Sequence, residues 1–203
     1  FEEIEIYDRA LKPMKVGIAK TILNADCVIS LALLKTHNAA IATFGIKNVA
    51  VGSLIKKILF PYRIPVPVVR QIVNRATALR NDKTKVHQGS VAINKNIFEL
   101  YKKIKPDISI IDGFEAMECN GPIDGSPVQM KLAIAGTDAL AVDVVSAELM
   151  GINPEDIGYL YYCMQHENFK PEWMKVVGNT TVEECKKNFE MHPSFQSQLR
   201  WKV

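Results

Sequence analysis

Residues 27–34 read Cys-Val-Ile-Ser-Leu-Ala-Leu-Leu, a nearly unbroken apolar run that stops abruptly at Lys35-Thr36-His37-Asn38. A run this short and this apolar is the pattern of a strand buried on both faces, as in a parallel sheet covered by helices. Two shorter runs repeat it. Ile108–Ile111 stops at Asp112-Gly113, and Lys131–Ala135 stops at Gly136-Thr137-Asp138. The loop after the second run, reaching to about Met130, holds Glu115, Glu118, Asn120, Gly121, Pro122 and Asp124.

Helical spacing lies between the runs. Lys15–Asn24 places Ile18, Ile22 and Leu23 on one face, and Ile93–Ile104 does the same with Ile97, Leu100 and Tyr101 before Pro106 ends it. Ala139–Met150 has Thr137 or Asp138 as N-cap and Gly151 as C-cap. Residues 41–50 read as a short helix or turn carrying Lys47 and Asn48, Pro154–Glu167 and Thr181–Phe189 as helices, and Met174–Val177 as a strand. The alternation predicts one layered α/β domain over residues 1–203, with a mostly parallel or mixed central sheet flanked by helices. Residues 52–90 interrupt it. There Pro61, Pro65 and Pro67 precede a basic amphipathic helix over Val68–Leu79, read as an insertion, a lid or an oligomer contact.

Charge is unevenly spread. Residues 1–46 balance to zero, residues 47–105 carry +11 and residues 106–203 carry −8. Internal complementarity accounts for this, as does a surface that attracts an anionic ligand, a membrane or a nucleic acid. No stretch of about 18 apolar residues predicts a membrane span. The chain begins at Phe1 with no signal-peptide pattern. Cys27, Cys119, Cys163 and Cys185 are too scattered for a local zinc or iron–sulfur motif, so free thiols in a reducing cytoplasm are expected.

If the three strands are parallel neighbours, their polar ends meet at one rim, where open α/β sheets bind ligands. Lys35 would supply a cation and donors, and His37 an acid–base group, a metal ligand or a donor to an anion. Thr36, Lys47 and Asn48 add donors. Asp112 and Glu118 would act as general base or as ligands for a divalent metal, with Asn120 and Gly121 in the binding loop beside them. Thr137 and Asp138 belong to the rim on the same premise. Each has a plain alternative: Lys35 solvated, His37 a structural hydrogen-bonder, Asp112 and Asp138 turn and helix caps. Cys119 has no evident base to activate it. Phosphate-loop, dinucleotide-loop and serine-elbow motifs are missing from the sequence, which disfavours those chemistries.

Three ordered motifs make the chain similar to the family called domain of unknown function 362. They are Asp26-Cys27-Val28-Ile29 through Leu34-Lys35-Thr36-His37 with Thr43, Lys47-Asn48 and Gly52; Lys105-Pro106-Asp107 through Ile111-Asp112-Gly113 to Met117–Pro122 and Gly125; and Ala135-Gly136-Thr137-Asp138 with Ala141-Val142-Asp143 and Leu149-Met150-Gly151. His87 also matches a family histidine and so joins the candidates. The chain departs from the pattern at Ala32, Leu33 and Cys119, where the family has a proline, a lysine and a glycine. The resemblance implies a further βα portion upstream of Phe1. It also implies a redox setting for some relatives, which carry ferredoxin-like modules. Any cluster would sit on a partner or separate segment, since this chain lacks the cysteines. The resulting expectation is a domain that binds an anionic metabolite, as an enzyme or redox-accessory module. Its rivals are a basic module for membrane or, less expected, nucleic acid, and an interaction partner of an iron–sulfur protein.

Overall fold

The computed structural model describes residues 1–58 and 78–202. Strands β1 (Glu2–Tyr7) and β2 (Pro13–Ile18) form an antiparallel hairpin. The sequence Glu-Glu-Ile-Glu-Ile alternates with period two, and Ile4 and Ile6 turn into the core beside Val16 and Ile18. The helix expected over Lys15–Asn24 is thereby reduced to one turn, α1 (Lys20–Leu23), because Lys15–Ile18 pair with the hairpin partner.

The central sheet comprises β3 (Ile29–His37), β4 (Ile41–Thr43), β7 (Ile108–Glu118) and β8 (Ser126–Gly136), in the order β4-β3-β7-β8. It is mixed. Only β3 and β7 run parallel, while β4 and β8 are antiparallel to their neighbours. Each run continues past its expected stop: β3 extends through Lys35-Thr36-His37, and β7 through Asp112 to Glu118. Between them β5 (Lys56–Ile58) and β6 (Ala78–Asn81) make a separate two-stranded ribbon. The basic helix expected over Val68–Leu79 lies outside the described residues, apart from Ala78 and Leu79 in β6.

Helices α2 (Gly45–Gly52), α3 (Asp82–Val86), α4 (Ser90–Tyr101), α5 (Ala139–Leu149) and α6 (Gly158–Glu167) supply the second layer. α2 packs on β3, α4 and α5, and α5 packs on β7 and β8. They cover the face from which Ser30, Ala32, Leu34 and Ile111 point inward. The opposite face is open at β3, where Ile29 and Leu31 are 57% and 68% exposed. The apolar run is thus buried on one face, not two. Towards the C-terminus, the strand expected at Met174–Val177 does not form. The helix expected over Thr181–Phe189 is a single turn, α7 (Val182–Cys185), closed by a capping box from Thr181 and Glu184. A further turn, α8 (Phe195–Gln198), returns to the sheet edge and runs on into a 3-10 turn over Leu199–Lys202.

One buried carboxylate joins the layers. Asp143 of α5 accepts hydrogen bonds from the amides of Gly45 (2.9 Å) and Ile46 (3.0 Å), which are unpaired donors of the first turn of α2. Burial pushes its pKa up to about 8, against the pull of those two amides. Gly45 has no room for a side chain, since an added Cβ would collide with the Ser109 hydroxyl. Replacing Asp143 by Ala strands two buried amides, at a cost of about 3 kcal/mol. Asp143→Asn keeps one acceptor and should lose about half as much. Urea midpoints with unchanged slopes check this, and equal loss in both variants would contradict it.

Candidate functional site

The end of β3 is held by three segments that are distant in sequence. β4 doubles back on it, so that Lys35 lies opposite Thr43 and His37 opposite Ile41. Opposed residues in such a pair leave the same face, which sets the Thr43 hydroxyl beside the Lys35 stem. Residues 119–125, linking β7 to β8, are clasped over the strand. Thr36 donates through Oγ1 to the Cys119 carbonyl (3.2 Å), and Lys35 Nζ donates to the Pro122 carbonyl (3.2 Å). Gly121 rests directly on the Thr36 main chain, leaving no space for a Cβ. From the tail, Gln198 accepts from the Ile41 amide (2.5 Å) and donates to the His37 carbonyl (3.1 Å).

His37 is fixed at this junction. Its Nδ1 accepts from the amides of Ala39 (3.0 Å) and Ala40 (3.3 Å), so the neutral ring carries its proton on Nε2. The side chain is buried, and its ring stacks on His87 with centroids 5.8 Å apart and planes at 28°. Burial, reinforced by Lys47, His87, Lys35 and His192, lowers its pKa from 6.5 to about 2. It stays neutral at any physiological pH. With its lone pair committed to the turn, it cannot act as base or metal ligand there; it is a donor.

Lys47, from the first turns of α2, is 5% exposed. Burial and the neighbouring Lys35 lower its pKa from 10.5 to about 7. Among the described residues neither Lys35 nor Lys47 forms an ion pair. The Thr43 hydroxyl is likewise buried without a partner. His87, at the exposed rim, donates Nδ1–H to the Lys83 carbonyl (3.0 Å), and partial desolvation of its ring, with Lys47 nearby, lowers its pKa. The charged groups acting on His37 are therefore all basic. Next to the cluster, an open cleft of about 430 Å³ is bordered by Asn38, Asn120–Asp124 and His192.

Of the residues singled out in the sequence, Lys35, Thr36, His37, Lys47, His87, Asn120 and Gly121 come together here. Asp112 lies beside Leu33, short of Lys35 along the sheet, and accepts from the Phe114 amide (2.9 Å) in a local turn. Glu118 accepts from the Glu190 amide (2.8 Å), which ties down the tail. Asn48 is exposed and donates to the Leu31 carbonyl (3.1 Å), near the start of β3. Thr137 and Asp138 are at the opposite edge, because β8 is antiparallel and Gly136 pairs with Ser109; Asp138 caps α5. The common rim therefore gathers the end of β3 with the 119–125 loop, and not the end of β8. Among the described residues no three His, Cys, Asp or Glu side chains are grouped to hold a metal. Thr43, Asn38 and His192 went unread as site residues. His192 and Asn38 reach the cleft through a tail and a turn whose positions no local sequence pattern encodes.

Fold and site define a mixed α/β domain with a cluster of partly buried basic groups at one strand end. The chain belongs to the family described as domain of unknown function (DUF362), whose profile matches residues 1–148. It is similar to a thylakoid-associated protein of Synechocystis sp., 29% identical over 140 residues that cover 69% of this chain and 37% of that protein. The chain thus spans well under half the length of that relative. No solved structure matches it. Among the described residues no helix is long and apolar enough to cross a membrane.

The neutrality of His37 has a thermodynamic signature. Its folded pKa is depressed, so the stability it contributes is present above about pH 6.5 and is lost as pH falls towards about 2. His37→Asn keeps an oxygen acceptor for the turn but cannot titrate. Well below pH 6.5 the wild type should lose about 1.4 kcal/mol per pH unit more than this variant. Urea titrations between pH 6.5 and 4.5 measure it; parallel curves would refute it.

Proposed function

We propose that the domain binds a small oxyanion, the charged end of an anionic metabolite, at the Lys35–His37–Lys47 cluster. The reading is carried by one observation: a buried lysine ammonium with no acidic partner among the described residues, beside a second lysine and a buried hydroxyl that lacks a partner. A buried charge without a counter-ion costs several kcal/mol. An incoming anion removes that cost and gains charge-assisted hydrogen bonds from both lysines. His37 Nε2–H and Thr43 Oγ1 complete a set of donors, and the cleft at Asn120 has room for the rest of the molecule. Asp112 and Glu118 each accept one main-chain amide and are not among these donors. The redox setting remains an implication of family resemblance.

Sulfate is a suitable probe because it does not change protonation between pH 6 and 8.5. Lys47 is charged below about pH 7 and loses its charge above it. Sulfate affinity should therefore fall by about tenfold or more from pH 6 to 8.5. In Lys47→Met it should be weak at both values. Calorimetric titration reads both, and absence of sulfate binding at pH 6 would end this proposal.

A second reading rests on the name of the relative, a thylakoid-associated protein, together with the +11 charge of residues 47–105. On this reading the basic segment holds the protein against an anionic membrane surface. Sedimentation with phosphatidylserine vesicles at low salt, reversed at high salt, is the expected result. Vesicles left unbound at low salt would dismiss it.

A further inference from the structure

His37 and His87 stack side by side, but their second nitrogens are used in opposite senses. Main-chain amides donate to Nδ1 of His37, which leaves N–H on Nε2. A main-chain carbonyl accepts from Nδ1 of His87, and carbonyls cannot donate, which leaves a lone pair on Nε2. His192 at the cleft resembles His37, its Nδ1 accepting from the Ser194 amide (3.0 Å). Of the remaining groups, Lys35 is a donor, Lys47 is one below about pH 7, where it is charged, and the Thr43 hydroxyl is free to donate. Among the basic side chains of the cluster, His87 thus offers the one acceptor.

We infer that the site selects an oxyanion that itself carries a donatable hydrogen, with His87 Nε2 receiving that hydrogen while His37 and the two lysines hold the negative oxygens. This deepens the anion-binding reading and rests on it. Hydrogen phosphate is the simplest member of the class, since at neutral pH it retains at least one O–H. Sulfate, of the same shape, has none. A site made only of donors would leave that O–H without a partner, and one well-placed acceptor reverses the preference. Of the two stacked histidines, His87 is the one able to take up and return a proton at a bound O–H, because the lone pair of His37 is spent on its own turn.

The test compares inorganic phosphate with sulfate at pH 6, where Lys47 is charged, on the wild-type protein and on His87→Phe. That substitution keeps an aromatic ring to stack on His37 and removes the acceptor. Because both anions are measured on both proteins, their intrinsic charge difference cancels in the ratio. The expected result is a loss of about tenfold in phosphate affinity with sulfate affinity changed less than about twofold. Equal loss for both anions, or none for either, overturns the assignment of His87. Failure of the wild type to bind either anion overturns the anion site itself, so the two failures are distinct. Nitrogen-15 NMR on the unliganded wild type gives a check independent of any variant. His37 should show the Nε2–H tautomer and His87 the Nδ1–H tautomer, and like tautomers at both positions would overturn the inference.

Discussion

The carboxyl group of Asp143, pressed into the first turn of α2, makes the interaction on which the arrangement depends. A helix start leaves amides that must find acceptors, and inside a protein core an unmet amide is costly. Here the acceptors come from another helix, α5, so one side chain sets the position of α2 relative to α5 and, through it, to the sheet. α2 carries Lys47. The deep cation of the cluster is thus located by a contact at the two residues just before it in α2. The close approach at Gly45 makes the fit unforgiving.

Around that anchor the electrostatics run against stability. Lys35, His37, Lys47 and His87 are gathered with no acidic ion-pair partner among the described residues, and proton affinity is lowered at three of them. Elsewhere the same chain pairs its cations conventionally: Lys105 engages both oxygens of Glu167, and Lys202 meets Asp156. The contrast is local. Ion pairing is available to this sequence and is missing from the described surroundings of β3's end, the kind of place where local rules give way to ligand recognition.

Much of this was legible in the sequence, and the failures have physical causes. The abrupt end of the apolar run at Lys35 marked the cluster, and Thr137–Asp138 ahead of an apolar helix marked a real N-cap. Strand direction was not read. Ending β7 at Ile111 made the following link look long enough for a crossover. The actual link, residues 119–125, is far too short for one and fits only antiparallel strands. The bulge near Gly113 and the alternation of Glu115 to Glu118 hid that continuation. The Glu-Ile alternation of β1 is a period-two signal, whereas Ile18, Ile22 and Leu23 also match a helix and mask the strand at β2. Asp112 and Glu118 are carboxylates near glycine and asparagine, and each accepts one main-chain amide. No local pattern separates such a cap from a catalytic acid.

Gln198 sits 161 positions from the His37 carbonyl it binds, and the same amide group holds Ile41. Two arms of one side chain therefore bracket the tight bend that dictates which nitrogen of the imidazole bears hydrogen. Polarity at the heart of the cluster is, in effect, written by the turn that carries Gln198. Editing that remote stretch would alter what the histidine can offer while leaving every residue around it in place.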